Sequence, residues 1–376
     1  MDHVLIYSYD LSGFDYGDSH PFKPMRAKLF VELLHRYSML YHDMHRILEP
    51  TPIDEDLLYL FHDRRYIELL RRADGGEFTL EMLEAGLGTG DNPIFKGVFR
   101  YSLTVAGGTQ QGAMELYRGG ARVVFNPIAG LHHAGKDQAS GFCYVNDIAV
   151  AIADLVRRGQ RVAYIDLDAH HGNGVQDAFY DSREVLTISL HESGETLYPG
   201  SGFEDEIGSG SGVGYNVNVP LSQGTDDEVY VYAFEEIVPP LVEQFRPDFV
   251  FAQIGGDTHK DDPLAHLNLT SHGYKHVISR LKAISPKILA MGGGGYNPGK
   301  TAALWALAWG LLCDLEPVDQ FAGLVGGMMF GPEMQAGSLE DPPFVLEGPE
   351  KDRCFENAKR VVGYLQRTVF PLHGLG

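Results

Sequence analysis

Residues 161–174 read RVAYIDLDAHHGNG. The apolar run 161–165 is too short for a helix and too uniformly apolar for a strand with one wet face. It predicts a strand buried on both sides, with the chemistry crowded just past its end. Six more short apolar runs follow the same logic, at 4–7, 122–125, 185–190, 215–219, 249–254 and 287–291. Stretches with helical spacing lie between them, at 24–40, 54–73, 95–117, 146–158, 226–245, 273–283 and 301–313, and the chain closes on an amphipathic pattern at 352–368. Strands alternating with helices predict an α/β fold, a single domain over residues 1–376 with a mostly parallel open sheet covered by helices on both faces. The Gly-, Met-, Pro- and acid-containing segment 320–349 is expected to wrap irregularly around that domain, so that residues 320–376 form a wrapping segment plus C-terminal helix belonging to it.

Open parallel sheets place their sites in the crevice at the carboxyl ends of strands. Four polar clusters stand there: Leu131-His132-His133-Ala134, Asp166 to Gly174, Gly255-Gly256-Asp257, and Gly292-Gly293-Gly294-Gly295-Tyr296. Asp168 and His170 are two apart at the end of an extended run, so their side chains point the same way. With Asp257 from another strand they make a three-ligand set with a vacant position, as catalytic zinc sites have and closed structural sites do not. Two carboxylates cancel the charge of a divalent ion, which calls for a separate general base, and His132-His133 is the source. Each histidine needs a partner at its other ring nitrogen; Asp166 suits one and Asn173 the other. Alone, the Asp-x-Asp-x-His run reads better as a strand end capping a helix; three companion clusters reverse that preference. The four glycines give a backbone able to approach a ligand closely, and the absence of a following Lys-Ser/Thr excludes a phosphate-binding loop.

Composition narrows the partners. Among 376 residues, 30 Lys and Arg against 51 Asp and Glu give a net charge of −21. Such a chain is not a general nucleic-acid binder and favours cationic substrates. Cys143, Cys313 and Cys354, odd in number and without a Cys-x-x-Cys pair, argue against a disulfide framework and against a zinc site built on cysteines. They indicate a reducing, cytoplasmic location, in keeping with a start that lacks a secretion signal and a chain without a membrane-length apolar run.

Together Leu131–Ala134, Gly141-Phe142-Cys143-Tyr144, the Asp166–Gly174 run, Gly256-Asp257 with Asp262-Pro263-Leu264, and Gly292–Tyr296 resemble the zinc-dependent histone deacetylase family, within the arginase/deacetylase superfamily. The likeness is to its compact bacterial members, including the acetoin-utilisation proteins. It extends from His20-Pro21 and Arg26 to the region of Trp309. The resemblance implies an amidohydrolase that removes acetyl or other acyl groups from lysine side chains. It implies Zn2+, one per chain, on Asp168, His170 and Asp257, with Fe2+ as the alternative ion. His133 becomes the general base, His132 with Asp166 its electrostatic partner, and Tyr296 the group that polarises the amide carbonyl. Phe142 and Tyr198 become channel walls beside Gly141, Asp91 a rim residue holding substrate backbone, and Arg26 the lining of an internal acetate cavity. K+ would sit on backbone oxygens of Asp166, Asp168, His170 and Leu190 with the Ser189 hydroxyl, and again on those of Phe179, Ser182, Val185 and Tyr215.

Two residues depart from the family pattern. Asn173 stands where class I members carry an aspartate, and an amide orients a histidine without stabilising its cation. His259, two residues past a metal ligand, reads as a surface loop histidine and has no assigned role. Arginase chemistry is disfavoured because Asp168-Ala169-His170-His171-Gly172 and Asp257-Thr258-His259 lack the extra aspartates of a binuclear site. Acetylpolyamines are the second substrate choice, since the gating position is the apolar Leu264. A catalytically silent acyl-lysine-binding module is the reading from another class, and the competent catalytic positions weigh against it.

Overall fold

The computed structural model describes residues 2–40, 44–316 and 339–376. Among them are strands β1 (Asp2–Ile6), β2 (His45–Leu48), β3 (Ala121–Asn126), β4 (Val162–Asp166), β5 (Val185–Glu192), β6 (Asn216–Leu221), β7 (Phe249–Gln253) and β8 (Ile288–Met291). They form one parallel sheet in the order β2-β1-β3-β8-β7-β4-β5-β6. Helices in chain order are α1 (Tyr9–Ser12), α2 (Arg26–Arg36), α3 (Glu55–Leu58), α4 (Arg64–Asp74), α5 (Leu80–Glu84) and α6 (Val98–Tyr117). The chain continues with α7 (Asp147–Arg157), α8 (Asn173–Phe179), α9 (Asp227–Phe245), α10 (Ser271–Ile284), α11 (Pro298–Cys313) and α12 (Pro349–Thr368).

Alternation along the strands sorts their side chains into two cores. Leu5, Phe125, Ile165, Ala252 and Ala290 pack with α2, α9, α10, α11 and α12. Their neighbours Val4, Val124, Tyr164, Phe251 and Leu289 pack instead with Ile148, Ile152 and Leu155 of α7 and with α6 and α8. Burial on both faces is why these strands read as unbroken apolar runs, and each large side chain so buried is worth about 1.5–3 kcal/mol.

The expected α/β sheet is present, with some shifts. The edge strand β2 escaped the reading because none of its residues is fully buried. The single helix expected at 54–73 is two, α3 and α4, because Asp63 is extended at φ −69°, ψ 138° and starts a new helix. The short helices α5 and α8 were also not foreseen. Most of the segment expected to wrap, 320–338, lies outside the described residues; 339–348 carries no helix or strand, and α12 begins at Pro349. No described helix is long and apolar enough to cross a membrane.

Strands β3, β8, β7 and β4 are consecutive in the sheet, and the four polar clusters follow these four strands. Strand order alone therefore brings them together at one rim.

Candidate active site

Asp168, His170 and Asp257 meet beyond the ends of β4 and β7. One donor atom from each lies within 4.8 Å of the others, and all three residues are buried. His170 Nδ1 is 3.0 Å from Asp257 Oδ2 and 3.3 Å from Asp168 Oδ1. Backbone donors fix the outer carboxylate oxygens: Gly294 N–H donates to Asp168 Oδ2 at 2.6 Å, and Ala169 N–H to Asp257 Oδ1 at 2.9 Å. Gly294 must be glycine, because a β-carbon there would collide with Asp257 Oδ2. Charges in this cluster shift one another. Burial and then the Asp168 charge push the Asp257 carboxyl up to about 8. Burial favours neutral His170, but the hydrogen bonds it donates to Asp168 and Asp257 outweigh burial and raise the imidazole to about 10. A buried carboxylate pair whose members resist ionising together is a cation site by its chemistry, and one nitrogen with carboxylate oxygens suits zinc.

The paired histidines sit above. His132 Nδ1–H donates to Asp166 Oδ2 at 2.9 Å, and that carboxylate also accepts from Tyr164 Oη at 2.7 Å and from Asp168 N–H at 3.0 Å through Oδ1. His133 Nδ1 is 2.7 Å from Asn173 Oδ1. The two rings are 4.0 Å apart at their centroids, yet their environments separate them. Burial lowers His132, but the charges of Asp166 and Asp168 prevail and raise its pKa. His133 is bonded to an amide instead; burial, then the charges of His132 and His170, outweigh the Asn173 hydrogen bond and the Asp168 charge and hold it well below its ordinary value. One imidazole is thus poised as a cation and the other as a neutral base.

Asn173→Asp is expected to raise the pKa of His133, since a carboxylate would replace the amide at 2.7 Å. A base must be neutral to act, so the acidic limb of the kcat/KM profile should move to higher pH by about one to two units. A profile that stays put or moves the other way would exclude this pairing.

The walls follow. Tyr296, half-buried, has its ring 6.0 Å from His170 and 5.7 Å from Phe142. Burial and then Asp257 and Asp168 raise its hydroxyl pKa well above the usual value, so it remains a donor. Tyr198, 43% exposed, packs edge-on at 5.1 Å against His133 and hydrogen-bonds Ser140. Gly141 and Phe142 both take left-handed φ, +51° and +69°, and a β-carbon on Gly141 would strike the His133 ring. Asp91 is exposed at the rim and its carbonyl accepts from His20 Nε2 at 3.1 Å. Leu264 is half-buried on the loop after Asp257, its N–H donating to Asp262 Oδ1 at 2.9 Å.

Arg26 is buried between the rings of Phe22 and Trp305, at 4.6 and 5.0 Å, and donates to the Gly295 carbonyl at 2.7 Å and to that of Gly293. Its visible work is to hold the glycine loop that carries Tyr296. Of the residues foreseen for monovalent ions, Ser189 Oγ lies 2.8 Å from His191 Nδ1. The Phe179 and Tyr215 carbonyls accept from Ser182 N–H and Thr187 N–H at 3.0 and 2.9 Å. The Tyr215 carbonyl also lies 3.5 Å from the Thr187 hydroxyl. Asp166, Asp168 and His170 line the end of β4, Val185 opens β5 and Leu190 lies within it, beside Ser189.

Sequence reasoning missed three supports. Asp147 Oδ1 and Oδ2 accept from Leu131 N–H and Gly130 N–H at 2.8 and 3.2 Å, fixing the loop before the histidines. An acid opening a helix whose next six residues are all apolar was its only signal. Asp262 Oδ2 accepts from Tyr296 N–H at 2.7 Å. His259, read as a surface histidine, is instead 2% exposed, with Nε2 2.8 Å from Asp341 Oδ2. Asp341 also takes Lys300 Nζ at 2.5 Å and Ser271 N–H at 3.0 Å. Burial alone would raise the Asp341 carboxyl; His259 and Lys300 more than reverse that and hold it well below the carboxylate range. A depressed carboxylate stabilises the fold above its unfolded pKa of about 3.9 and loses that contribution as pH falls further. Asp341→Ala is expected to cost about 3 kcal/mol at neutral pH, because it strands buried His259 and frees the loops bearing Asp257 and Tyr296. Denaturant melts at pH 7 measure this; a loss below about 1 kcal/mol would show the cluster to be incidental.

A parallel α/β sheet bearing one Asp-His-Asp donor set, paired histidines and a tyrosine at its carboxyl rim defines a hydrolase of the arginase/deacetylase class. Within that class the chain belongs to the histone deacetylase family: residues 20–312 match the Histone deacetylase domain. It is 39% identical to Histone deacetylase RPD3 of Saccharomyces cerevisiae over 312 residues, covering 82% of this chain and 71% of that protein. Histone deacetylase 1 of Homo sapiens is 37% identical over 332 residues, covering 88% and 68%. The crystal structure of an HDAC homologue from Aquifex aeolicus superposes with a TM-score of 0.81 at 31% identity, covering 96% of this chain and all (100%) of that one. An HDAC homologue complexed with SAHA gives 0.82 at 32%, covering 95% and 99%.

Proposed function

We propose that the protein is a zinc-dependent lysine deacetylase that hydrolyses the side-chain amide of acyl-lysine in peptides or proteins. The reading rests on one observation: three buried donor atoms within 4.8 Å of one another lie beside two histidines of opposite protonation tendency. Asp168, His170 and Asp257 would hold zinc, which supplies Lewis acidity toward the amide carbonyl and the attacking water.

The chain's own residues do the rest. The acyl-lysine side chain enters between Phe142 and Tyr198 with its backbone held at Asp91. Tyr296 Oη–H donates to the carbonyl oxygen as negative charge develops there. His133, its Nδ1–H engaged by Asn173 Oδ1, presents the Nε2 lone pair and takes a proton from water as oxygen bonds to the carbonyl carbon. His132, kept cationic by Asp166, stabilises the charge nearby. When the C–N bond breaks, His133 returns the proton to the lysine nitrogen, and the acid's remaining proton passes to the amine, leaving a carboxylate and a lysine ammonium. We place K+ at the oxygens around Ser189 and at those around Tyr215, where it would brace the ends of β4 and β5.

Turnover of an acetyl-lysine peptide with chelator, and again after zinc is restored, tests the reading. Loss and recovery are expected; turnover that ignores the chelator, or peptide binding without turnover in the zinc-loaded protein, overturns it. Running longer acyl-lysines and acetylpolyamines alongside fixes the substrate, with acyl-lysine expected to be preferred because half-buried Leu264 offers a polyamine no countercharge.

A further inference from the structure

Three metal-ligating side chains also meet at the far end of the sheet. His3 lies near the start of β1 and His45 opens β2, and the parallel register pairs them directly, so both project from the same face. Their ring centroids are 5.2 Å apart. Cys313 is the last residue of α11, whose 16 residues carry the chain about 24 Å from the loop of Tyr296 to the opposite edge. Trp309, one turn earlier on that helix, packs edge-on against His45 at 5.3 Å and sets the helix face toward the pair. One nitrogen from each histidine and Cys313 Sγ all lie within 4.8 Å of one another. Cys313 is 4% exposed, and His3 Nδ1 is a buried nitrogen with no hydrogen-bond partner among the described residues. A cavity of about 30 Å³, lined by His3, Arg122, Lys282 and Asp314 among others, adjoins His3, room for about one water.

We propose that His3, His45 and Cys313 form a second metal site, for zinc or a similar borderline divalent ion, separate from the catalytic centre. Two imidazoles and a thiol select such ions over Mg2+ or Ca2+, which require oxygen. On binding, the Cys313 thiol releases its proton to solvent and the sulfur bonds the ion. The Asp314 carboxylate, beside the cavity, is the candidate fourth donor. Lys282 brings positive charge near, but its ammonium already donates to the Leu311 carbonyl at 2.8 Å and pairs with Asp314 at 2.5 Å. The site joins an edge strand, its neighbour and the C-terminus of α11, and requires no Cys-x-x-Cys pair.

Cobalt tests it, because the catalytic donors are nitrogen and oxygen only and give no thiolate-to-cobalt absorption in the near ultraviolet. The full chain loaded with Co2+ is expected to show that absorption and to retain about two metal ions, one at each site. Cys313→Ser and His3→Gln should each abolish the band and lower the content to about one, with acetyl-lysine turnover within about twofold of wild type. His3→Gln keeps every cysteine and alters a half-buried residue, so it decides the matter if Cys313→Ser fails to fold. A wild-type protein without the band, a metal content of about one, or a band that survives His3→Gln overturns the proposal.

Discussion

Tyr296→Phe is expected to lower kcat on an acetyl-lysine peptide by about 10²–10³-fold while changing KM by less than about threefold. The hydroxyl has one task, a hydrogen bond that strengthens as the amide oxygen gains charge, so its loss falls on the transition state rather than on the bound substrate. The position supports that division. Tyr296 sits at the rim of the donor set, its ring braced by Phe142 and by His170, and its N–H held by Asp262. Removing one oxygen leaves these contacts in place, and the melting temperature should barely move. Because burial and the nearby carboxylates raise the hydroxyl pKa, Tyr296 should produce no basic limb in the wild-type profile below pH of about 10. Equal losses in kcat and substrate affinity would instead make Tyr296 a wall of the channel.

What could be read from the sequence follows from how local each cause is. The strands β3, β4, β7 and β8 were legible because both of their faces are buried, and the residues that follow them were legible because an open parallel sheet has one productive edge. The pairing of His132 with Asp166 and of His133 with Asn173 was likewise within reach, since each histidine needed a partner and two polar side chains, Asp166 at the end of β4 and Asn173 at the start of α8, stood in a cluster on the same rim. Supports contributed by distant segments could not be read. Asp341 is 82 residues from His259, and nothing local to either residue announces their contact. The edge strand β2 is written in His-Arg-Ile-Leu, with no residue fully buried, so its placement depends on pairing with β1 rather than on its own pattern. His3 and His45 share that dependence: only the register of two strands 42 residues apart sets them side by side.

Asp257→Asn is expected to abolish measurable turnover while leaving the metal-free fold no weaker than wild type above pH of about 8. The site is built at the expense of the empty fold. Asp257 and Asp168 are held close by the Ala169 and Gly294 N–H groups, so without a cation the two resist ionising together. The folded Asp257 pKa of about 8 lies far above the unfolded value of about 3.9, so the metal-free folded state binds the extra proton and loses stability as pH rises between the two. His170, raised to about 10, adds in the same direction from its unfolded pKa of about 6.5 upward. Melts of chelated wild type should therefore fall more steeply between about pH 4 and pH 8 than those of chelated Asp257→Asn, which has no carboxyl to ionise there. Parallel slopes would deny the carboxylate pair its role. The same protons oppose metal binding at neutral pH, and each one displaced should strengthen the apparent zinc affinity of the wild type about tenfold per pH unit. Asparagine removes the proton and the anionic ligand together, so in Asp257→Asn both the affinity and its pH slope should fall, whereas a change that merely loosened the loop would lower the affinity and leave the slope intact.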